Sequence, residues 1–145
     1  MKFILTLCLI LFCTFAHTQT NNDSVAIVKL LDKAAITFRA GDGQAYADCW
    51  HVQLYSVIFI STADGKAIEI PATALGKSSA ASGQGGFATA TNYRMSIHND
   101  NGWTSFDEIS TSKDGTKSYS HEVWMVEKIN DEWKLVAASM HFYKP

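Results

Sequence analysis

Hydrophobic and polar residues alternate most clearly in the C-terminal third of the chain. Two runs rich in β-branched and aromatic residues, 119–129 and 132–142, flank the polar pair Asn130-Asp131. Strand-length runs on either side of a two-residue polar turn predict a long antiparallel hairpin. The segments 93–98 and 103–110 predict a second hairpin around a polar turn at 99–102.

The N-terminal part shows a helical period instead. Residues 21–24, Asn-Asn-Asp-Ser, have side chains of the kind that cap the start of a helix. Apolar residues then recur at helical spacing to about Ala40. Gly41 is expected to end this helix, and Asp42 to cap a second short helix that reaches Trp50.

The middle of the chain predicts short strands and a loop. Residues 54–60 are apolar at both their odd and their even positions, and this predicts a strand that is covered on both faces. A turn then leads to a short paired strand over 67–70. A third helix is expected from Pro71 to about residue 82, followed by a glycine-rich loop at 82–86. Helices first and strands afterwards predict one α+β domain, with helices against a curved antiparallel sheet.

The first residues predict export. Met1-Lys2 precedes an apolar run over 3–16 that is too short to cross a bilayer comfortably and is followed by polar residues. We interpret residues 1–18 as a secretory signal peptide and 19–145 as a single domain, with cleavage after Ala16 as the alternative. No second hydrophobic span follows, so the mature protein is expected in the periplasm or the medium, without stable membrane insertion.

Charge and cysteine content narrow the function classes. The formal net charge of −2 argues against a nucleic-acid partner, for which a basic patch is the usual footprint. Only Cys49 remains after signal removal, so no internal disulfide can form. We expect Cys49 to be a small buried hydrophobe; a reactive thiol is the alternative, but no activating neighbour is apparent.

A turn at Asn130-Asp131 fixes which residues face each other across the last hairpin. On one face the expected pairs are Val126 with Leu135, Trp124 with Ala137, Glu122 with Ser139, and Ser120 with His141. On the other face, Glu127 and Lys134 are expected to form an exposed ion pair.

Glu122 is the strongest candidate for chemistry. It shares a face with Trp124, Val126 and Leu135, and large residues opposite small ones leave space. A carboxylate beside an apolar space has its pKa raised toward the range of a general base. The alternative, which we favour, is a structural carboxylate that is hydrogen-bonded or hydrated.

The other hairpin also separates into two faces. One face carries Tyr93, Met95, Ile97 and Phe106; the opposite face carries Arg94, Ser96, His98, Trp103, Ser105 and Asp107. The second set either lines a polar pocket with an Arg94–Asp107 pair or faces solvent, and antiparallel sheets often leave one side wet. The histidines at 51, 98, 121 and 141 lack short ligand spacing, and Gly-Lys-Ser at 76–78 lacks the context of a phosphate loop, so no metal or cofactor is predicted.

Several motifs in order resemble one family. They are Arg-Ala-Gly-Asp at 39–42, Ala-Asp-Cys-Trp at 47–50, Gly-Trp-Thr-Ser-Phe-Asp at 102–107 and the run from Glu122 to Val136. Together they resemble the nuclear transport factor 2-like superfamily, especially small exported bacterial members near the SnoaL-like group, over residues 24–142. The resemblance implies a cone-like α+β fold with an apolar pocket and often a homodimer across the sheet.

The family resemblance leaves the function open. Its members include steroid isomerases, dehydratases, polyketide cyclases, epoxide hydrolases and binders without activity, and a fold alone does not choose among them. Two departures weaken an enzyme interpretation. Ala137 and Ser139 stand where many relatives have a His-x-His pair, and residues 51–53 replace the acidic residues that many relatives carry after the second helix.

Three hypotheses therefore stand. The first is an exported non-catalytic binder of a small apolar molecule or a dimeric module, and the second is an acid/base enzyme on a hydrophobic substrate. The third is a pure interaction domain. The expected site comprises catalytic Glu122 and Asp107 with the pocket residues Tyr55, Trp103, Trp124, Ser139 and His141.

Overall fold

Helix α1 begins the part of the chain that the computed structural model describes, which is residues 22–77, 83 and 85–145. The helix spans residues 22–40, and Ile27, Leu31 and Ala34 form its buried face, as the helical period predicted. Gly41 ends it with a φ of 72°, a left-handed conformation that glycine adopts without strain. The predicted signal peptide lies outside the described residues.

Helix α2 spans Gly43–Ala47, and the side chain of Asp42 caps it by accepting from the backbone N–H of Ala45 at 3.0 Å. The expected third helix is shorter in the described residues. A 3₁₀ turn at Ala72–Ala74 leads into helical residues 75–77, and the remaining residues of that prediction, 78–82, lie outside the described residues.

Six strands form one sheet. They are β1 (Val57–Ser61), β2 (Ala67–Pro71), β3 (Phe87–His98), β4 (Asn101–Thr111), β5 (Lys117–Ile129) and β6 (Glu132–Tyr143), in the order β2-β1-β6-β5-β4-β3. The α+β class with a curved sheet is confirmed. The sheet is not wholly antiparallel, because β1 runs parallel to β6 while all other neighbours are antiparallel. The long segment between β1 and β6 permits this pairing, which no tight hairpin could make.

The first strand is shorter than predicted. Leu54 and Tyr55 are exposed and precede the strand, which begins only at Val57. Ile58 is buried but Phe59 is 49% exposed, so the prediction of a strand covered on both faces is wrong.

The turn of the last hairpin is as predicted, but the register beyond it is not. Asn130 and Asp131 both have positive φ, as a two-residue hairpin turn requires, and Val126 faces Leu135. The register then shifts by one residue, because Met125 faces Ala137 and Val136 is the extra residue of a β-bulge. The predicted pairs beyond this point are wrong: Trp124 faces Ala138, Glu122 faces Met140 and Ser120 faces Phe142.

The sheet has two faces of different character. The cavity face carries Phe106, Glu122 and Trp124 and packs against the helices. The open face is the opposite side and carries Phe59, Trp103, Asp107, His121 and Met125. The core lies between α1, α2 and the cavity face, where an aromatic series runs through Phe38, Tyr46, Trp50 and Trp124 with successive ring centroids 5.2, 6.1 and 5.6 Å apart.

Candidate functional site

A cavity of about 370 Å³ lies between the helices and the cavity face of the sheet. Its wall is mainly apolar and includes Phe38, Ile60, Leu75, Phe106, Trp124, Met140 and Phe142. The charged residues of the wall are Arg39 from α1, Glu108 from β4 and Glu122 from β5. An apolar cavity with a few convergent polar groups is the usual form of a small-molecule site.

Glu122 is buried in this wall, with 3% of the residue exposed. Its Oε1 accepts from Ser120 Oγ at 2.8 Å and its Oε2 from Trp124 Nε1 at 2.7 Å. Ser120, Glu122 and Trp124 alternate along β5, so the pleat directs all three side chains to the same face. Burial raises the pKa of Glu122, and the hydrogen bonds from Trp124 and Ser120 oppose that rise.

Arg39 joins the end of α1 to β4. Its Nη2 lies 2.6 Å from Glu108 Oε1 and its Nη1 donates to Ser110 Oγ at 2.6 Å. Glu108 and Ser110 are two residues apart on β4 and therefore share the cavity face. Burial, and secondly the negative charge of Glu122, raise the pKa of Glu108 to about 7, while Arg39 acts in the opposite direction.

The two carboxyl groups therefore share one guanidinium in a buried setting. When both are ionised, Arg39 balances only one of their charges, and this favours retention of a proton by the pair. Tyr46, from α2, also lines the cavity, and burial raises the pKa of its phenol. Chemically, the site can donate and accept hydrogen bonds and hold a proton near neutral pH.

A second cavity of about 660 Å³ adjoins the first. Arg39, Glu108, Leu31 and Phe106 belong to the walls of both cavities. The second cavity continues toward Phe87 and the described glycines of the 82–86 loop; Gly85 donates its backbone N–H to the Arg39 carbonyl at 2.8 Å.

The structure places two of the predicted site residues, Glu122 and Trp124, in the cavity wall. Asp107 and Trp103 lie on the open face. Asp107 accepts from Asn92 Nδ2 at 2.7 Å and its Oδ1 lies 2.9 Å from His121 Nδ1, so its ion-pair partner is His121 and not Arg94, the partner in the polar-pocket alternative. These two contacts lower the pKa of Asp107.

Tyr55, Ser139 and His141 are also outside the cavity wall that the structure describes. The bulge at Val136 moves Ser139 and His141 to the open face, where Ser139 Oγ lies 3.0 Å from His141 Nε2. The exposed Tyr55 donates to Glu127 Oε1 at 2.8 Å, and this hydrogen bond raises the pKa of Tyr55.

Two other local predictions can be compared with the structure. Glu127 and Lys134 are opposite each other as predicted, but Glu127 contacts Tyr55 and His51 while Lys134 pairs with Glu132. Cys49 is 1% exposed and burial raises the pKa of its thiol, which fits a buried hydrophobe and not an activated nucleophile.

Arg39, Glu108 and Tyr46 are site residues that the sequence reasoning missed. Glu108 follows Phe106 by two residues and therefore lies on the same, apolar face of its strand, and this spacing is visible in the sequence. Arg39 follows Leu31 and Ala35 at four-residue spacing and lies on the same stripe of α1. Both signals are clear only once the cavity face of the sheet and the packed stripe of the helix are known.

Comparison with solved structures identifies the fold. A nuclear transport factor 2-like protein with a cystatin-like fold from Novosphingobium aromaticivorans aligns over 89% of this chain and 87% of its own, with a TM-score of 0.66 and 13% identity. A nuclear transport factor 2-like protein of unknown function from Shewanella baltica aligns over 86% and 96%, with a TM-score of 0.64 and 17% identity. A candidate dehydratase of the same family from Streptomyces avermitilis aligns over 87% and 99%, with a TM-score of 0.65 and 11% identity.

The chain therefore has the nuclear transport factor 2-like fold, as the sequence resemblance predicted. No family model and no curated protein matches the sequence. Among the described residues, no helix is long and apolar enough to cross a membrane.

Proposed function

We propose that this protein binds a small, mostly apolar molecule in the 370 Å³ cavity, with the polar end of the ligand at Arg39, Glu108 and Glu122. The cavity itself carries this proposal, because a concave, mainly apolar space with a few convergent polar groups is the usual form of a small-molecule site. Both oxygens of Glu122 already accept hydrogen bonds from the protein, which favours a fixed recognition group over a free base.

The test uses a fluorescent probe and two matched variants. N-phenyl-1-naphthylamine is uncharged at neutral pH and becomes fluorescent in apolar sites. Ala35→Trp adds a large side chain at a position in the walls of both cavities, whereas Val25→Trp adds the same side chain at an exposed position of α1. We expect the unmodified protein and Val25→Trp to bind the probe, and Ala35→Trp to bind it at least about tenfold more weakly. Equal binding by all three would refute the proposal.

Native mass spectrometry of the protein, purified without detergent, complements the probe. A reproducible additional mass would identify the natural ligand, and its loss in Ala35→Trp would locate it in the cavity. The same spectrum tests the homodimer. Phe59, Trp103 and Met125 are 49%, 43% and 55% exposed on the open face, and such a surface supports association with a second copy.

Export through residues 1–18 is part of the proposal and rests on the charged start and the apolar run. Expression of the full chain in a bacterial host, followed by mass measurement of the exported product, tests it. A shortened chain outside the cytoplasm is expected, and an intact intracellular chain would contradict export.

An acid/base enzyme is the second candidate. It is supported by the raised pKa of Glu122 and by the pKa of about 7 at Glu108, because efficient general acids and bases titrate near the working pH. The similar fold of a candidate dehydratase is consistent with it. If mass spectrometry identifies a ligand, incubation of that ligand in D₂O gives the test. Deuterium incorporation that is fast with the protein and lost in Glu122→Gln would support catalysis, and incorporation unaffected by the variant would exclude Glu122 as the base.

A further inference from the structure

We infer that the polar end of the ligand is a protonated amine, an inference that depends on the proposed binding function. The geometry behind it is a buried carboxylate whose two hydrogen bonds come from neutral donors, in a cavity with aromatic walls. Glu122 accepts only from the neutral donors Ser120 and Trp124. An ammonium group would supply the missing positive charge.

The charge balance of the cavity favours a cation. Arg39, Glu108 and Glu122 are the charged residues of the described wall, and when all are ionised their sum is −1. The guanidinium of Arg39 is bound to Glu108 and Ser110, each at 2.6 Å, so it acts on Glu122 only through its charge, which lowers the pKa of Glu122. A buried charge without a counter-charge is costly, and binding an opposite charge removes that cost.

The aromatic wall adds a second preference for a cation. Phe38, Tyr46, Phe106, Trp124 and Phe142 all line the cavity. Ring faces attract an ammonium within about 6 Å of their centroids, and tryptophan does so best. Trp124 turns its indole N–H edge toward Glu122 at 2.7 Å, so the ring faces that meet an ammonium on this carboxylate come from the other aromatic residues of the wall.

The same residues disfavour an anion. A ligand carboxylate placed in the cavity would meet the charges of two glutamates, and the guanidinium nitrogen of Arg39 that is buried without a partner is Nε alone. An uncharged hydroxyl would fit but would leave the second carboxyl group to be neutralised by the proton that the pair retains. The ligand class is therefore an apolar amine, and the two carboxylates exclude the matching acid by repulsion.

Three probes of nearly equal size and different charge test this inference: 3-phenylpropylamine, 3-phenylpropan-1-ol and 3-phenylpropionate. Each is titrated against the purified protein with bound N-phenyl-1-naphthylamine, and displacement gives its affinity. We expect the amine to bind at least about tenfold more tightly than the alcohol, and the propionate to bind most weakly. Calorimetry in phosphate and in Tris measures proton release, which should approach one proton per amine near pH 7, since an ammonium favours the ionised carboxylates.

The titratable groups that face the amine come from several elements. Arg39 of α1, Tyr46 of α2, Glu108 of β4 and Glu122 of β5 lie in the wall of this cavity, and Tyr93 of β3 lies in the wall of the adjoining second cavity. Comparison of variants identifies the carboxyl group that releases the proton. Glu122→Gln keeps an acceptor for Trp124 and should reduce the preference for the amine over the alcohol to less than about threefold. Glu132→Gln removes an equal charge at the exposed hairpin end and should leave the preference unchanged.

The outcomes separate the two proposals. Displacement by none of the probes, together with failure of N-phenyl-1-naphthylamine to bind, would refute the binding function and this inference with it. Displacement by the alcohol as strongly as by the amine would overturn the inference alone. Tightest binding of the propionate would also overturn it, because Arg39 would then be the recognition group.

Discussion

Replacing Glu122 with glutamine should make the protein less sensitive to rising pH. Glutamine has the shape of a protonated glutamate, so its amide oxygen can accept from Trp124 and its amide nitrogen can donate to Ser120. The variant therefore keeps the local hydrogen bonds and removes one of the two buried negative charges. Since the charge of Glu122 is one cause of the raised pKa of Glu108, the substitution also relieves its neighbour.

The sign and size of the effect follow from the shifted pKa values. The pKa of Glu108 rises from an ordinary 4.5 to about 7 in the folded protein, so between those values the folded state binds more protons than the unfolded state. Stability from this group is complete below pH 4.5 and is lost as the pH rises through 7. At about 1.4 kcal/mol per pKa unit, Glu108 alone accounts for a loss of roughly 3 kcal/mol, and Glu122 adds a loss of the same sign.

Urea unfolding followed by circular dichroism between about pH 5 and 8 measures this difference. We expect similar free energies of unfolding for the two proteins at pH 5, and a variant that is more stable by roughly 1–3 kcal/mol at pH 8. Glu132→Gln is the charge-matched control and should follow the unmodified protein. Parallel pH profiles for Glu122→Gln and the unmodified protein, or a variant that is less stable at pH 8, would refute the electrostatic reasoning.

Three further substitutions test one contact of the site, the core and the start of α1 by urea unfolding. Trp124→Phe removes the indole donor to the buried Glu122 and should cost about 1–3 kcal/mol; no measurable loss would mean that the hydrogen bond is unimportant. Leu135→Ala opens a cavity at a fully buried position of β6 and should cost about 2–5 kcal/mol, whereas a cost below about 1 kcal/mol would contradict its place in the core. At the start of α1, Asp23 accepts hydrogen bonds from Lys128 Nζ at 2.7 Å and from the Trp133 indole at 3.0 Å. Asp23→Ala removes this acceptor and should lower the free energy of unfolding by about 1–3 kcal/mol. An unchanged free energy of unfolding would show that these contacts do not hold the helix in place.

Much of the fold could be predicted because local signals and tertiary structure agree. The helical stripe of α1, its end at Gly41 and the turn at Asn130-Asp131 all depend on neighbouring residues along the chain. The alternation on β5 was also sufficient to place Glu122 and Trp124 on one face, because the pleat fixes the relation of residues two apart. The parallel pairing of β1 with β6 depends on distant parts of the chain and left no local signal.

The candidate site was only half predictable for a related reason. Glu122 could be found within one strand, but its electrostatic partners come from two other elements. Arg39 lies at the end of α1 and Glu108 on β4, and their 2.6 Å contact exists only because the helix packs across the sheet. The pKa of about 7 at Glu108 depends on that packing as well, since burial is its main cause.

The bulge at Val136 determines the character of the cavity. In the register expected from the turn alone, Ser139 and His141 would face the helices and add polar groups to the wall from β6. With one extra residue in β6, Met140 and Phe142 occupy that part of the wall instead. The charged groups of the described wall therefore come only from α1, β4 and β5, and β6 contributes an apolar surface. Under the proposed binding function, a cavity that is charged on one side and apolar on the other would orient an amphipathic ligand, and the second carboxylate on the charged side would favour a cationic end.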